Sequence, residues 1–395
     1  MTAFLLRLKR FCGFIVGIVF FMSGIVKLMD PVGAGLVMDE YYSFMHLDFM
    51  SFSSKVMGTL FALAETLIGA ALVTGVWKSI IAKIAVGLQG FFTLLTLVLV
   101  IFNPEMDCGC FGEAIHLTHM QTFLKNLVLL ALLLAYMLPL KHLMIDTKKR
   151  KYVVFYLVGI STMAFTIYSW IYIPMVDFTA YKPGAELAKG AEIDPDEVYE
   201  SVFTYERDGI QETFTLEELP QDIETWTFVS REDRMKNDQT KNLIVLSFYK
   251  ADTGEDMDTL ATEGKVMIVS VYDTDMRKSR WGEVESFIRR SQEKGFTTLL
   301  LCAQEDGIPE KMKDFAYISA DYKTLISMNR SNGGVTYFND GVLIRKWARI
   351  CAPDQAELDE LQKTDTTEVS IARESKGSLV FQGFLLYVFA VMLLL

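Results

Sequence analysis

The sequence predicts a membrane all-α helical bundle joined to an extracytoplasmic domain of α/β or α+β class. Three observations predict it. Hydrophobic residues make up 51% of the 395 residues while 22% are charged, a mixture suited to a membrane part joined to a soluble part. The charges divide the same way: residues 1–176 hold 13 Lys+Arg against 9 Asp+Glu, and residues 177–395 hold 25 against 40. Apolar runs of about 20 residues, the length that spans a bilayer core, crowd the first part. The acidic second part excludes nucleic acid as a partner, because phosphate neutralisation needs clustered Lys and Arg.

Six runs are candidate spans: 11–29, 56–76, 79–102, 121–140, 152–174 and 378–395, the last ending at the final residue with no polar flank. Arg7, Lys9 and Arg10 would suit the basic start of a signal peptide, but the following apolar run is too long and no A-x-A-like cleavage site follows it. The first run is therefore read as a retained helix. Basic residues favour the cytoplasmic side of short loops. With the N-terminus cytoplasmic, 10 of the 13 cations in the first part fall on that side, and only Lys27, Lys55 and Lys125 fall on the other. The expectation is a multi-pass inner (cytoplasmic) membrane protein whose loop 103–120 and residues 175–376 share the extracytoplasmic side. In a bacterial envelope that space is oxidising and permits disulfide chemistry.

The loop holds DCGCFGEAIHLTHMQ, residues 107–121. Asn103 and Pro104 end the preceding helix, and Thr118 or His119 starts the next. Three readings compete for it. As a redox pair, Cys108 and Cys110 could close only a small disulfide ring away from relaxed geometry, and strained disulfides are the labile ones. The N-terminus of the next helix would lower a thiol pKa if the loop folds back on it. As a metal site, Cys108, Cys110, His116 and His119 offer a ligand set for zinc or copper, although one residue between the cysteines is tighter than common zinc spacings. As a plain turn, the cysteines would be structural. The redox reading is favoured, with Gly109 and Gly112 shaping the loop. Cys302, in the apolar run TTLLLCAQ, reads as a buried inert thiol; Cys351 could pair with it or with nothing, and Cys12 lies near the cytoplasmic end of the first span.

Glu65 sits within the second span, where an ionisable side chain costs at least about 2.5 kcal/mol on insertion scales and is usually paired or functional. Lys27 is its candidate membrane ion-pair partner.

These residues carry a resemblance. GIVFFMSGIVKLMDPVGAGLVMDEYY, with Gly24, Lys27, Asp30, Pro31, Glu40 and Tyr41, resembles the first-helix signature of the four-helix DoxX and MauE membrane proteins. ALAETLIGAALVTG around Glu65 resembles their second helix, and DCGCFG followed by Gln121, Lys125 and Asn126 is similar to the MauE cysteine loop and fourth helix. The resemblance covers about a third of the chain. It implies a link to methylamine utilisation, through maturation of a disulfide-rich dehydrogenase subunit, or to quinone-coupled oxidation of sulfur compounds. The bundle is also similar to quinone-reducing proteins of the vitamin K epoxide reductase type, which use C-x-x-C where this loop has C-x-C.

In the soluble part, VYESVFTYE and QETFTL flank Asp208-Gly209 and predict a β-hairpin, with WTFVSRED opening a further exposed segment. NLIVLSFY reads as an apolar strand run. KVMIVSVYD, the helical RWGEVESFIRRSQEKG and FTTLLLCAQ predict a βαβ unit with a parallel strand pair, and GGVTYFNDGVLIRKW a second hairpin about Asn339-Asp340-Gly341. The order resembles a thioredoxin-like fold. It departs from one where the chemistry would sit: YDTDMRKSRW has Asp275 and Lys278 in place of the C-x-x-C cysteines, and Val335 precedes Thr336 where a cis-proline would stand. The domain is read as a docking module, for which Arg277, Lys278 and Arg280 could grip a partner.

The organisation expected is a four-helix domain over 1–145, a fifth span over 152–174, a β-rich connection over 175–240, a thioredoxin-like domain over 241–376 and a sixth span over 378–395. The function expected is thiol-disulfide redox or maturation of an exported thiol-containing protein, with Cys108 and Cys110 reactive, Glu65 relaying or stabilising charge, and a lipid quinone as electron carrier. The rival is a non-enzymatic membrane scaffold or metal-binding protein that docks an exported partner.

Overall fold

The computed structural model describes residues 3–104, 106, 108–115, 117–138, 147–188, 199–207, 210–215, 220, 226–235, 243–244, 246–250, 254–255, 257–318, 322–363, 379–388 and 390–391. The chain divides into two compact units, Met1–Phe178 with Arg373–Leu395, and Thr179–Ala372.

The first unit is helical. Its elements are α1 (Ala3–Met29), α2 (Pro31–Phe44), α3 (Ser54–Thr74), α4 (Lys78–Phe102), the extended stretch β1 (Cys110–Glu113), α5 (His119–Met137) and α6 (Lys149–Ile171). A 3-10 turn over Asp48–Ser53 runs into α3. Among the described residues, five helices are long and apolar enough to cross a membrane, namely α1, α3 with its 3-10 lead, α4, α5 and α6. The chain is a multi-pass membrane protein. Of the expected sixth span, the described residues show an apolar helix over Leu379–Val388, too short by itself to cross.

The sequence reading did not foresee α2. Its start has a local cause: Asp30 Oδ1 accepts the Gly33 N–H at 2.9 Å, and Pro31 occupies the first turn, where its missing N–H costs nothing. Small residues set the tightest seam, between α1 and α3. A Cβ on Gly24 would lie 2.2 Å from Thr66 Oγ1, and one on Gly69 would lie 2.4 Å from the Phe21 backbone nitrogen. Only glycine lets these two backbones approach so closely, the usual basis of helix association in lipid.

The bundle has two distinct ends. At one, Lys9 donates to the Leu138 carbonyl, Thr147 Oγ1 donates to the Gly75 carbonyl at 2.6 Å, and Trp77 meets Tyr152, Phe155 and Tyr156 edge-on. At the other, a small space is lined by Lys27, Asp30, Gly112, Pro174 and Asp177. The cysteine loop and the exit of α6 therefore share one end.

The second unit is built on an eight-stranded mixed sheet with strand order β6-β2-β12-β11-β8-β9-β10-β7. The strands are β2 (Glu186–Leu187), β6 (Leu243–Ile244), β7 (Tyr249–Lys250), β8 (Lys265–Val271), β9 (Thr297–Cys302), β10 (Ala316–Ile318), β11 (Gly334–Asn339) and β12 (Val342–Trp347). Strands β8 and β9 run parallel, Val269 beside Leu300, and are joined by α7 (Lys278–Glu293); β11 runs antiparallel to both β8 and β12. The β11–β12 turn uses positive φ at Asp340 and Gly341, as the Asn-Asp-Gly signal predicts. One face packs Trp281, Phe287 and Leu358 of α7 and α9 (Gln355–Lys363); the other packs Phe248 and, from α8 (Tyr322–Met328), Leu325.

NLIVLSFY is not one strand. Its ends form β6 and β7 on opposite edges of the sheet, with Leu246 and Phe248 buried between them; its apolar run serves to cross a sheet face. Strands β3 (Tyr199–Arg207), β4 (Ile210–Thr215) and β5 (Thr227–Met235) form a separate antiparallel sheet. The Asp208-Gly209 turn lies outside the described residues.

Candidate functional site

The site begins with the helix start that orients His119. Thr118 caps α5 by accepting from Gln121 N–H at 3.2 Å, while Gln121 Oε1 accepts from Thr118 N–H at 3.2 Å. This capping box fixes His119 as the first residue of the helix. The cysteine loop folds back onto that terminus: Cys108 Sγ lies 2.9 Å from His119 Nδ1, and His119 Nε2 lies 2.9 Å from the Pro104 carbonyl. A carbonyl can only accept, so Nε2 carries the proton and Nδ1 is left to take one from the thiol. Cys108 is 6% exposed, and Tyr41 on α2 donates to its carbonyl at 3.1 Å. Burial first, then the neighbouring Cys110 and Cys108, pushes the Tyr41 hydroxyl well above its usual range, which keeps it a donor.

Gly109 has φ +58°, and a Cβ there would lie 2.2 Å from Val37 Cγ1. Both the turn and the contact with α2 demand glycine. Gly112 has φ +55° in open space, so only its backbone conformation favours glycine.

Cys110 is tied to the membrane helices through Ser23. Ser23 Oγ lies 2.7 Å from the Cys110 carbonyl and 2.9 Å from Glu65 Oε2. Lys27 Nζ stands 2.9 and 2.8 Å from the two Glu65 oxygens, with side-chain exposures of 15% and 6%. The charge of Lys27 also suits its place in the last turn of α1.

These groups border one cavity of about 340 Å³ within the bundle, the size of small ligand sites. Cys108, Gly109 and Cys110 line one part and Glu65 with Lys27 another, with Phe20, Phe61, Phe92 and Tyr41 among the apolar lining. Exposed Phe91 and Met45 also border it. Gln89 Nε2 donates to the Asn126 carbonyl at 3.1 Å and Asn126 Nδ2 to Thr96 Oγ1 at 3.3 Å.

Sequence reasoning missed Ser23 and Gln89, and it named Tyr41 only as part of the family signature, without its contact to the cysteine loop. Ser23 could have been found one helical turn before Lys27, on the same face, and Gln89 as an amide inside a span. Among the described residues no three His, Cys, Asp or Glu side chains gather to hold a metal; His116 lies outside them. Cys302 is fully buried and its thiol is pushed up to about 12 by that burial. Cys351 is exposed and not joined to it, and Cys12 lies half-buried in α1. Asp275, Arg277, Lys278 and Arg280 are all exposed about the start of α7.

Fold and site define a multi-pass membrane protein with a thiol–imidazole pair at a cavity in the bundle. Residues 3–139 match the family model described as methylamine utilisation protein MauE. Residues 199–237, which hold the three-stranded sheet, match a domain of unknown function, DUF8463. No curated protein matches the chain, and no solved structure does.

Proposed function

We propose that the chain is an envelope oxidoreductase that oxidises thiols of exported proteins through Cys108 and Cys110 and passes the electrons to a lipid quinone. The observation that carries this reading is the shared cavity. Its lining includes both cysteines and the buried Lys27–Glu65 ion pair, the imidazole of His119 reaches Cys108 from outside that lining, and the apolar remainder suits a flat hydrophobic ring.

With Cys108 and Cys110 joined as a disulfide, a partner's thiolate attacks one sulfur and its second thiolate completes the exchange, which leaves the partner oxidised and the pair reduced. His119 Nδ1 then takes the Cys108 proton, giving the thiolate from which the pair is re-oxidised. Tyr41 and Ser23 hold the two cysteine carbonyls and so fix the loop against α1 and α2. Lys27 and Glu65 supply the charged groups beside the apolar lining. A quinone bound there would supply the two-electron acceptor: as two S–H bonds break and one S–S bond forms at Cys108 and Cys110, two electrons and two protons would leave to it.

The second unit serves as a docking module. Its thioredoxin-like reading rests on the β12-β11-β8-β9 order with the α7 crossover, and its lack of exchange chemistry on Asp275 and Lys278 at the positions of the missing cysteines. In this reading the cysteine loop and residues 175–376 face the extracytoplasmic space, and the link to methylamine utilisation stays with the family.

The test uses the full chain in membranes with a short-chain quinone and a reduced thiol substrate. Quinol should form in step with thiol loss, and Cys108→Ser and Cys110→Ser should each abolish it. A pair whose redox state never responds to quinone or substrate would sink the reading.

A further inference from the structure

Lys27 touches two spaces. It lines the large cavity, and it also lines a second cavity of about 10 Å³ with Asp30, Gly33, Gly112 and Asp177. That volume is the room of one water molecule, and Lys27, Asp30 and Asp177 supply the polar partners such a water needs. Asp177 lies beyond α6, outside the spanning helices. Glu65 and Ser23 occupy the inner side of Lys27, 2.8 and 2.9 Å along the hydrogen-bonded line toward the Cys110 carbonyl. Ionisable groups inside a membrane span commonly mark proton routes, and Lys27 is shared by the carboxylate-lined space at the bundle end and the space beside the thiols, which Lys125 also borders.

We propose that Lys27 is the proton-transfer residue of the thiol-oxidising site, delivering protons into the large cavity and regaining them from the Asp30/Asp177 end through the small one. This rests on the quinone reading above. In each turnover the Lys27 ammonium gives a proton twice to acceptor oxygens in the cavity, becoming the neutral amine and being reprotonated each time from the aqueous phase by way of Asp177 and Asp30, which matches the two protons released by the thiols. Glu65 holds the ammonium in place. The thiol proton accepted by His119 leaves at the same end of the bundle, where the cysteine loop lies. Protons taken up and given out then balance on one side, and turnover moves no charge across the membrane.

The experiment compares wild type, Lys27→Met/Glu65→Gln, which removes both charges together so that none is left buried alone, and Val176→Phe, at a residue that also lines the small cavity, which narrows that space and leaves both charges in the chain. Two readouts are taken on the full chain in detergent or liposomes: quinol formation with a short-chain quinone, and hydrogen exchange of the Lys27 ammonium with water without quinone, followed by its ¹⁵Nζ resonance. The double variant should keep its unfolding temperature and lose roughly 100-fold in quinol formation, within the range of general acid catalysis. Val176→Phe should slow both the exchange and the turnover. Full quinol formation in the double variant, or unchanged exchange in Val176→Phe, would overturn the proposal. A wild type that forms no quinol would instead defeat the quinone reading, and the exchange measurement would still judge the route.

Discussion

A thiol 2.9 Å from an imidazole nitrogen, with the other ring nitrogen committed to a carbonyl, has its proton acceptor in place before any substrate arrives. His119→Gln should therefore slow alkylation of Cys108 near pH 7 by roughly 100-fold, the scale of a lost general base, as peptide mapping after a timed pulse of iodoacetamide would show. Equal rates would mean that the imidazole only packs against the sulfur. Glu65 makes a second prediction at this scale. Removing one member of a buried ion pair strands the other, at about 3–5 kcal/mol, so Glu65→Ala should lower the detergent unfolding temperature far more than Lys27→Met/Glu65→Gln. The cysteines, His119, Glu65 and Lys27 were legible because each is out of place in an apolar chain. Tyr41 was not legible as a loop anchor, since its role depends on a carbonyl 67 residues away in sequence.

At the scale of elements, the α1–α3 seam governs the site. Ser23 and Lys27 reach Glu65 only because glycine at 24 and 69 lets the two backbones meet. Gly69→Leu would place side-chain atoms where Phe21 backbone now stands, and overpacking of this kind costs about 1–3 kcal/mol. Thermal unfolding of the purified chain should show that loss, together with weaker quinol formation as the ion pair separates. A variant as stable as wild type would show that the seam has slack. The spanning helices are readable from apolar length, and the start of α5 from Thr118 or His119. The helix α2 was passed over because its apolar face is short, although Asp30-Pro31 carries a cap-and-proline signal. NLIVLSFY was read as one strand because an apolar run has the same composition whether it joins one ladder or bridges two edges of a sheet.

At the scale of the whole molecule, two measurements bear on topology and pH. An impermeant maleimide added to intact cells should label exposed Cys351 and leave buried Cys302 untouched; labelling of Cys351 only after lysis would reverse the proposed orientation. In alkali, Cys302 keeps its proton up to about 12 against an ordinary 9.0, and Tyr337 up to about 12 against 10.0, both held by burial. The unfolded chain releases these protons first, so stability falls as pH rises from about 9 toward about 12, by about 1.4 kcal/mol per pH unit for each group. With Cys302→Ala the fall should begin near 10, which denaturation of the full chain across that pH range would check.

Apolar length, the charge division between the two parts and the out-of-place Cys, His, Glu and Lys side chains were determined by the sequence by itself, because each is a property of a residue and its near neighbours. Only the tertiary structure decided that Cys108, Cys110, Glu65 and Lys27 border one cavity, that Cys108 meets His119, and that Lys27 lines two spaces. Those relations join residues on α1, α3 and the cysteine loop, and the close approach of helices in three dimensions, which no local pattern encodes, brings them together.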